Sequence, residues 1–300
     1  MITRLSILIP VYNDVAAPLV AALRRQAEAV PGLEYEIVVF DDGSTDASVI
    51  KQNEAACALP HCRYVKTERH ASRSAMRNDM ARQGRYEWHL MLDARVSPVR
   101  GDFIRRYLDS GAREGEAVIG GVTVDGGAET GRLYRENLRF RYEKHEEKNH
   151  SLEARRKRPY ASLRTTNFFH HRSVLERVPY DERVKTYGYE DVLLGKALQE
   201  AGIRVLHIDN PVAYTSFESN ARYLDKLDEA LFTLHRFAPE LKGYSPLLAL
   251  CSWLRRAGLL PFVRLLYRLC DGRVRKMLAG RRPLLLLLKF YKVGALACMR

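Results

Sequence analysis

The sequence predicts an α/β fold, with a mostly parallel central sheet flanked by helices and a basic helical C-terminal extension. Three observations predict it. Short apolar, β-branched runs recur through the first 125 residues, helix-length stretches separate them, and basic charge is concentrated at the C-terminal end. Strands alternating with helices are the pattern of a parallel sheet, since each connection must cross back over a sheet face. At 300 residues and 46% hydrophobic, the chain can bury one large core with an appendage.

The strands are read at Leu5–Val11, Ile37–Phe40, Tyr64–Lys66, Trp88–Leu92 and Ala117–Val122. The first ends at Pro10 and turn residues, too short for a signal segment. Helices are expected at Ala16–Val30 and Ser72–Gln83. Residues 126–160 are polar and charged with little periodicity, and read as a solvated helix or loop. An apolar-aromatic segment follows near Asn167–Phe169. Beyond it a helix is expected from Glu190 to Ala201, with Leu194, Ala197, Leu198 and Ala201 at core spacing. A strand at Arg204–Ile208 and a helix at Asn220–Phe237 complete the ordered part. Domain boundaries are drawn at 1–240, divided into 1–125 and 126–240, and at 241–300.

Residues 241–300 hold thirteen Lys or Arg and one acid, Asp271, against 36 bases and 35 acids in the first 240. Of the formal charge of +13, +12 therefore belongs to the tail, and a nucleic-acid-binding surface on the main domain is not expected. Within the tail, Leu-rich stretches are interrupted by Arg and Lys, and none reaches the roughly 20 apolar residues of a bilayer span. Amphipathic helices lying on an anionic membrane surface fit this pattern, and so does a helical extension packed on the rest of the protein. The five cysteines are odd in number and irregularly spaced, which points to reduced thiols and a cytoplasmic setting.

In parallel sheets ligands sit beyond the carboxyl ends of the strands. The first strand ends Pro10-Val11-Tyr12-Asn13, without the Gly-rich turn of a dinucleotide site. The second ends Asp41-Asp42-Gly43-Ser44. Its adjacent carboxylates suit a base or ribose, and an Asx turn with a helix cap by Ser44 explains them equally well. In the run His70 to Asn78, Arg73 and Arg77 share one helix face near the positive end of the helix dipole, a setting for a diphosphate. The fourth strand delivers Asp93-Ala94-Arg95. Later, Glu190 and Asp191 open a helix. Acids are favoured there by the dipole alone, and a partly buried carboxylate there could also take a proton.

In order and spacing these elements, with Gly188-Tyr189-Glu190-Asp191, resemble the family 2 glycosyltransferases of GT-A fold, a Rossmann-like architecture, over roughly residues 4–235. The resemblance implies an inverting sugar transfer from a nucleotide-diphosphate donor, with a UDP-sugar favoured, to a glycan or lipid-linked hydroxyl. It makes 1–125 the donor half and 126–240 the acceptor and catalytic half. Asp191 becomes the base and Glu190 its support. Donor binding falls to Pro10, Val11, Tyr12, Asn13, Asp41, Asp42, Ser44, Arg73, Arg77, Asn78, Asp93, Ala94 and Arg95, and Asn167 and Tyr189 would meet acceptor. Cell-envelope polysaccharide or glycolipid synthesis, at the inner face of the cell membrane through residues 241–300, is the expected setting.

The family also implies Mg²⁺ or Mn²⁺ on an Asp-x-Asp motif, which here is Asp93-Ala94-Arg95. A hard cation prefers several oxygen ligands. Arg95 could replace the metal, Asp93 alone could hold one weakly, or the chain could be a non-catalytic nucleotide-sugar-binding or membrane scaffold protein. Where many relatives carry a His beyond the final strand, this chain has Tyr214.

Overall fold

The computed structural model describes residues 2–67 and 72–299. Two compact units emerge. Unit 1 comprises 1–123, 148–185 and 194–216, and unit 2 comprises 124–147, 186–193 and 217–300.

Unit 1 contains both sheets. Its strands are β1 (Arg4–Val11), β2 (Glu34–Asp41), β3 (Cys62–Lys66), β4 (Trp88–Leu92), β5 (Val96–Pro98), β6 (Ala117–Ile119), β7 (Val122–Thr123), β8 (Asn167–His171), β9 (Val205–His207) and β10 (Val212–Tyr214). Seven of them form one sheet in the order β3-β2-β1-β4-β8-β6-β9, and β5-β10-β7 form a second. The large sheet is parallel except for β8, which runs antiparallel to both neighbours.

The helices are α1 (Ala17–Glu28), α2 (Ala47–Cys57), α3 (Arg73–Gln83), α4 (Phe103–Leu108), α5 (Thr130–Glu136), α6 (Leu138–Glu146), α7 (Leu152–Lys157), α8 (Arg172–Arg177), α9 (Glu190–Glu200), α10 (Asn220–Arg236), α11 (Pro246–Arg256), α12 (Leu260–Ala279) and α13 (Leu285–Cys298). The central strands are apolar on both faces because helices cover both. Leu5, Ile7 and Ile9 pack with Leu19 and Leu23 of α1 and Phe103 of α4. Leu8, Val38 and Met91 pack on the other face with Met76 of α3, Val174 of α8 and Leu194 of α9. This is the burial that parallel sheets require.

The expected strand Ala117–Val122 is broken. Buried Arg155 of α7 donates to the carbonyls of Ile119 and Ile208 at 3.1 Å and Gly120 at 3.3 Å, and to His207 Nδ1 at 3.1 Å. Gly121, at φ 95°, turns the chain at this point, the guanidinium secures the carbonyls beside the turn, and the chain resumes in the second sheet as β7.

Unit 2 is helical. The expected solvated segment includes α5, which buries no side chain, and α6, which buries Leu138 and Phe140. Leu138 of α6 is buried with Leu224 of α10, Tyr267, Val274 and Leu278 of α12, and Leu288 and Tyr291 of α13. Tyr291 donates to Asp228 at 2.6 Å, and Arg275 reaches Asp228 at 2.5 Å and Asp225 at 2.6 Å. The basic C-terminal helices thus share a core with α6 and α10. Among the described residues no single helix is long and apolar enough to cross a membrane. The pair α11 and α12 passes that test jointly but bends by 114°.

Candidate active site

Strands β2, β1 and β4 are neighbours, so the loops that follow them lie side by side, and side chains knit them together. Asn13 adopts a left-handed φ of 52°, which Asn tolerates better than most residues. Its Oδ1 accepts the N–H groups of Thr45 and Asp46 at 2.9 Å, and its own N–H donates to Ser44 Oγ at 2.8 Å. Asp41 holds the β2 loop from below, accepting the Ser44 N–H at 2.6 Å and the Tyr64 hydroxyl. Burial and the adjacent Asp41 carboxylate push the Tyr64 phenol above its ordinary range. Helix α2 is capped by Asp46, which accepts from Ser48 N–H at 2.9 Å. The cap considered for Ser44 is corrected by this geometry, because its hydroxyl serves Asn13. Asp42 is buried beside Asp41, and its N–H donates to Val11 O at 2.9 Å. Pro10 and buried Val11 precede Tyr12, which is 43% exposed.

The β1 and β4 loops are joined by an ion pair, Arg95 Nε to Asp14 Oδ1 at 3.3 Å. Between them and the next strand stands Asp93. Its Oδ1 accepts from Arg77 Nη2 at 2.9 Å and its Oδ2 from Thr166 Oγ1 at 2.9 Å. Arg77 is buried, with its guanidinium carbon 5.7 Å from the Tyr180 ring centroid. Arg73 stands exposed at the start of α3, where Ser72 caps the helix by accepting from Ala75 N–H at 3.2 Å. His70 and Ala71, which open that run, lie outside the described residues. Ala94 is buried between Asp93 and Arg95. Asn78 uses its amide to hold the next segment, donating to Tyr180 O at 3.0 Å and Glu182 at 2.9 Å.

Thr166 and Asp14 were absent from the sequence-derived set. Thr166 reaches Asp93 only because β8 docks on β4, with Leu92 opposite Asn167. No local signal gives that pairing. Asp14 directly follows the Pro10–Asn13 turn, so its position was visible and only its partner was not.

A metal is tested by this donor set. Both oxygens of Asp93 are engaged, one by a guanidinium, and the next motif position carries a positive charge. Among the described residues no three His, Cys, Asp or Glu side chains gather as a metal site. Hard divalent cations take multiple oxygen ligands, and these residues do not fit Mg²⁺ or Mn²⁺.

Asn167 is fully buried. Its amide donates to Gly121 O and Asn210 O at 2.9 Å and accepts the Tyr107 hydroxyl at 2.6 Å. His207 accepts from Arg155 and faces Pro159 O at 2.9 Å through Nε2, and burial holds its pKa down at about 4. Tyr214 ends β10.

In unit 2, the turn before α9 is conformationally unusual. Gly188 has φ 97° and Tyr189 φ 66°. A left-handed Tyr is strained, and such outliers gather at functional sites. Thr233 of α10 holds this turn, donating to Tyr187 O at 3.1 Å and meeting Thr186 Oγ1 at 2.8 Å. Burial pushes the Tyr189 phenol up to about 12. The turn delivers Glu190, buried at 6% exposure, and half-buried Asp191 into the first turn of α9.

Several solved structures are similar in fold. The mannosyltransferase PcManGT from Pyrobaculum calidifontis, in complex with GDP-Man and Mn²⁺, is 17% identical. That alignment covers 98% of this chain and 86% of that one, with a TM-score of 0.54. GalNAc-T7 with UDP, GalNAc and Mn²⁺ is 13% identical over 72% of this chain and 43% of that one, with a TM-score of 0.50. Residues 1–349 of S. aureus TarS are 16% identical over 75% of this chain, which spans 63% of that one, with a TM-score of 0.49. At such identities the likeness is one of fold. No curated protein sequence matches the chain. The match that reaches the family lies in the sequence itself: residues 6–178, more than half of the chain and including the strand-end turns described above, match Glycosyl transferase family 2. The chain therefore belongs to glycosyl transferase family 2, and its fold is that of the GT-A glycosyltransferases.

Proposed function

We propose that this glycosyltransferase acts with inversion, moving a sugar from a nucleoside-diphosphate donor, a UDP-sugar in the favoured case, to a hydroxyl of a glycan or lipid-linked acceptor. The observation that carries this reading is the continuous rim in unit 1. Asn13 and Ser44 join the β2 and β1 loops, Asp14 and Arg95 join β1 to β4, and Arg77 and Thr166 fix Asp93. A site held this way needs little rearrangement to grip a ligand, so its polar groups act from fixed positions. Pro10, Val11, exposed Tyr12 and Asp42 face the base in this reading, with Asp93, Arg73 and Arg95 toward ribose and diphosphate. GDP-Man on PcManGT and UDP on GalNAc-T7 support the donor class.

The acceptor hydroxyl is a poor nucleophile while it keeps its proton. Asp191 takes that proton, and the freed oxygen bonds to the anomeric carbon. The bond from that carbon to the diphosphate oxygen breaks, its electron pair leaving with the nucleoside diphosphate. A single displacement inverts the anomeric centre. Buried Glu190 supports Asp191 at the helix start. Transfer measured across a panel of nucleotide sugars tests this. Asp191→Asn is expected to lower turnover by about a hundredfold or more, as loss of a general base does, and unchanged turnover would remove Asp191 from that role.

The setting proposed is cell-envelope polysaccharide or glycolipid synthesis, in the cytoplasm at the inner face of the membrane. Its support is a second apolar stripe on α12. Phe262, Leu265, Leu266 and Leu269 recur at three- and four-residue spacing and are exposed, Phe262 at 65% and Leu269 at 69%, while Tyr267, Val274 and Leu278 fill the core. Trp253 of α11 is also exposed, and Arg255, Arg256 and Arg268 stand exposed among these residues. Apolar side chains interleaved with bases suit an anionic lipid interface.

A further inference from the structure

A departing nucleoside diphosphate gathers negative charge that something must neutralise. In the family pattern that task belongs to a divalent ion on two carboxylates. This chain keeps one carboxylate of that motif, Asp93, and brings Asp14 of the β1 loop against the β4 loop, but each already faces a guanidinium, Arg77 at 2.9 Å and Arg95 at 3.3 Å. The formal balance is the same: two positive charges against two acids, with arginine forks in place of an ion. A cation bound to Asp93 at about 2.1 Å, the Mg²⁺ distance, would compete with the Arg77 fork on one oxygen and the Thr166 hydroxyl on the other.

We propose that Arg95 is the group that meets the donor diphosphate, that Asp14 is the positioning residue holding it at the rim, and that the site binds nucleoside diphosphate without a divalent metal. Arginine suits the role because its planar fork donates two parallel hydrogen bonds to phosphate oxygens and never loses its charge. Arg95 is half-buried and anchored at both ends of its residue. Its carbonyl accepts the Thr215 N–H at 3.1 Å, and its side chain rests on Asp14. Asp14 is itself fixed through its backbone, whose carbonyl accepts from Asn53 Nδ2 at 3.0 Å. The guanidinium therefore waits in the β4 loop, and Asp14 on its Nε keeps it at the rim while the fork meets the diphosphate. Arg77, buried against Tyr180, holds Asp93 in place.

The inference rests on the nucleoside-diphosphate donor reading, and one experiment separates the two. UDP and GDP are titrated calorimetrically into the full chain, first with EDTA and then with Mn²⁺. Binding in EDTA, strengthened less than about fivefold by Mn²⁺ (about 1 kcal/mol), is expected. Binding only with Mn²⁺, or strengthened beyond that, overturns the metal-free site and leaves the donor reading intact. No binding under either condition overturns both. In EDTA, Arg95→Ala is expected to weaken binding about tenfold or more, as loss of a charged hydrogen-bond partner does, and Arg95→Lys to recover part of it. Asp14→Asn, which keeps the shape but releases Arg95, is expected to weaken binding less than Arg95→Ala does. Undiminished binding in Arg95→Ala removes Arg95 from the site.

Discussion

One glycine ahead of α9 and two buried histidines show how much is decided one side chain at a time. A Cβ at Gly188 would stand 2.6 Å from Ala230 Cβ, and its φ of 97° lies where L-residues are strained. Gly188→Ala is expected to cost about 2–4 kcal/mol from crowding and backbone strain together, and to reduce transfer. Adding Ala230→Gly should restore only the crowding part, which thermal denaturation of the single and double variants measures. His89 and His170 stack edge to face with centroids 5.2 Å apart in the sheet interior, where burial holds His89 down at about 4 and His170 well below its ordinary value. The fold thus keeps these rings neutral while the unfolded chain protonates them near pH 6.5. Their contribution is complete above that pH and declines as pH falls from about 6.5 toward 4. Melting temperatures across this window should fall, and less steeply in His89→Gln. At this scale the strand-end turns were legible because they are local: Pro10 to Asn13, Asp41 to Ser44 and Asp93 to Arg95 each follow a strand readable from its own residues. Their partners were not. Thr166 meets Asp93 across 73 positions of chain, by a strand pairing that no spacing encodes.

Among elements, β4 was read at its observed bounds, and β1, α3, α9 and α10 within a residue or so, because periodicity and burial agree there. The reading failed where an element depends on a distant group. Ala117–Val122 reads as one strand, but Gly121 turns at φ 95° and buried Arg155, distant in sequence, holds the carbonyls beside that turn. Within 126–160, α5 is solvated as expected, whereas α6 departs because Leu138 counts only once α10, α12 and α13 are in place. The junction of α12 and α13 makes the same point through packing. Gly294 lies against Tyr267, and an added Cβ would sit 2.7 Å from the Tyr267 Cβ. Alanine is the better helix former by about 1 kcal/mol, yet overpacking costs about 1–3 kcal/mol. Gly294→Ala is expected to be net destabilising, and urea denaturation would detect the lower midpoint.

Across the whole molecule, the basic tail is no loose appendage: its helices supply Tyr267, Val274, Leu278, Leu288 and Tyr291 to a buried cluster. Deleting residues 241–300 would therefore expose that core, and surface substitutions are the cleaner probe of membrane contact. Phe262→Ser with Leu269→Ser is expected to abolish sedimentation with anionic vesicles while leaving the melting temperature close to wild type, since both side chains already face solvent. Sedimentation unchanged by the pair, or indifferent to lipid charge, would count against an anionic membrane as the partner. Because the far side of α12 is anchored in protein, its helical turns exist before any lipid arrives. A peptide that coils only on contact must give up chain freedom at that moment, but this surface has no such toll, so far-ultraviolet circular dichroism should stay flat as vesicles are added, and attachment should be quick and readily reversed by salt.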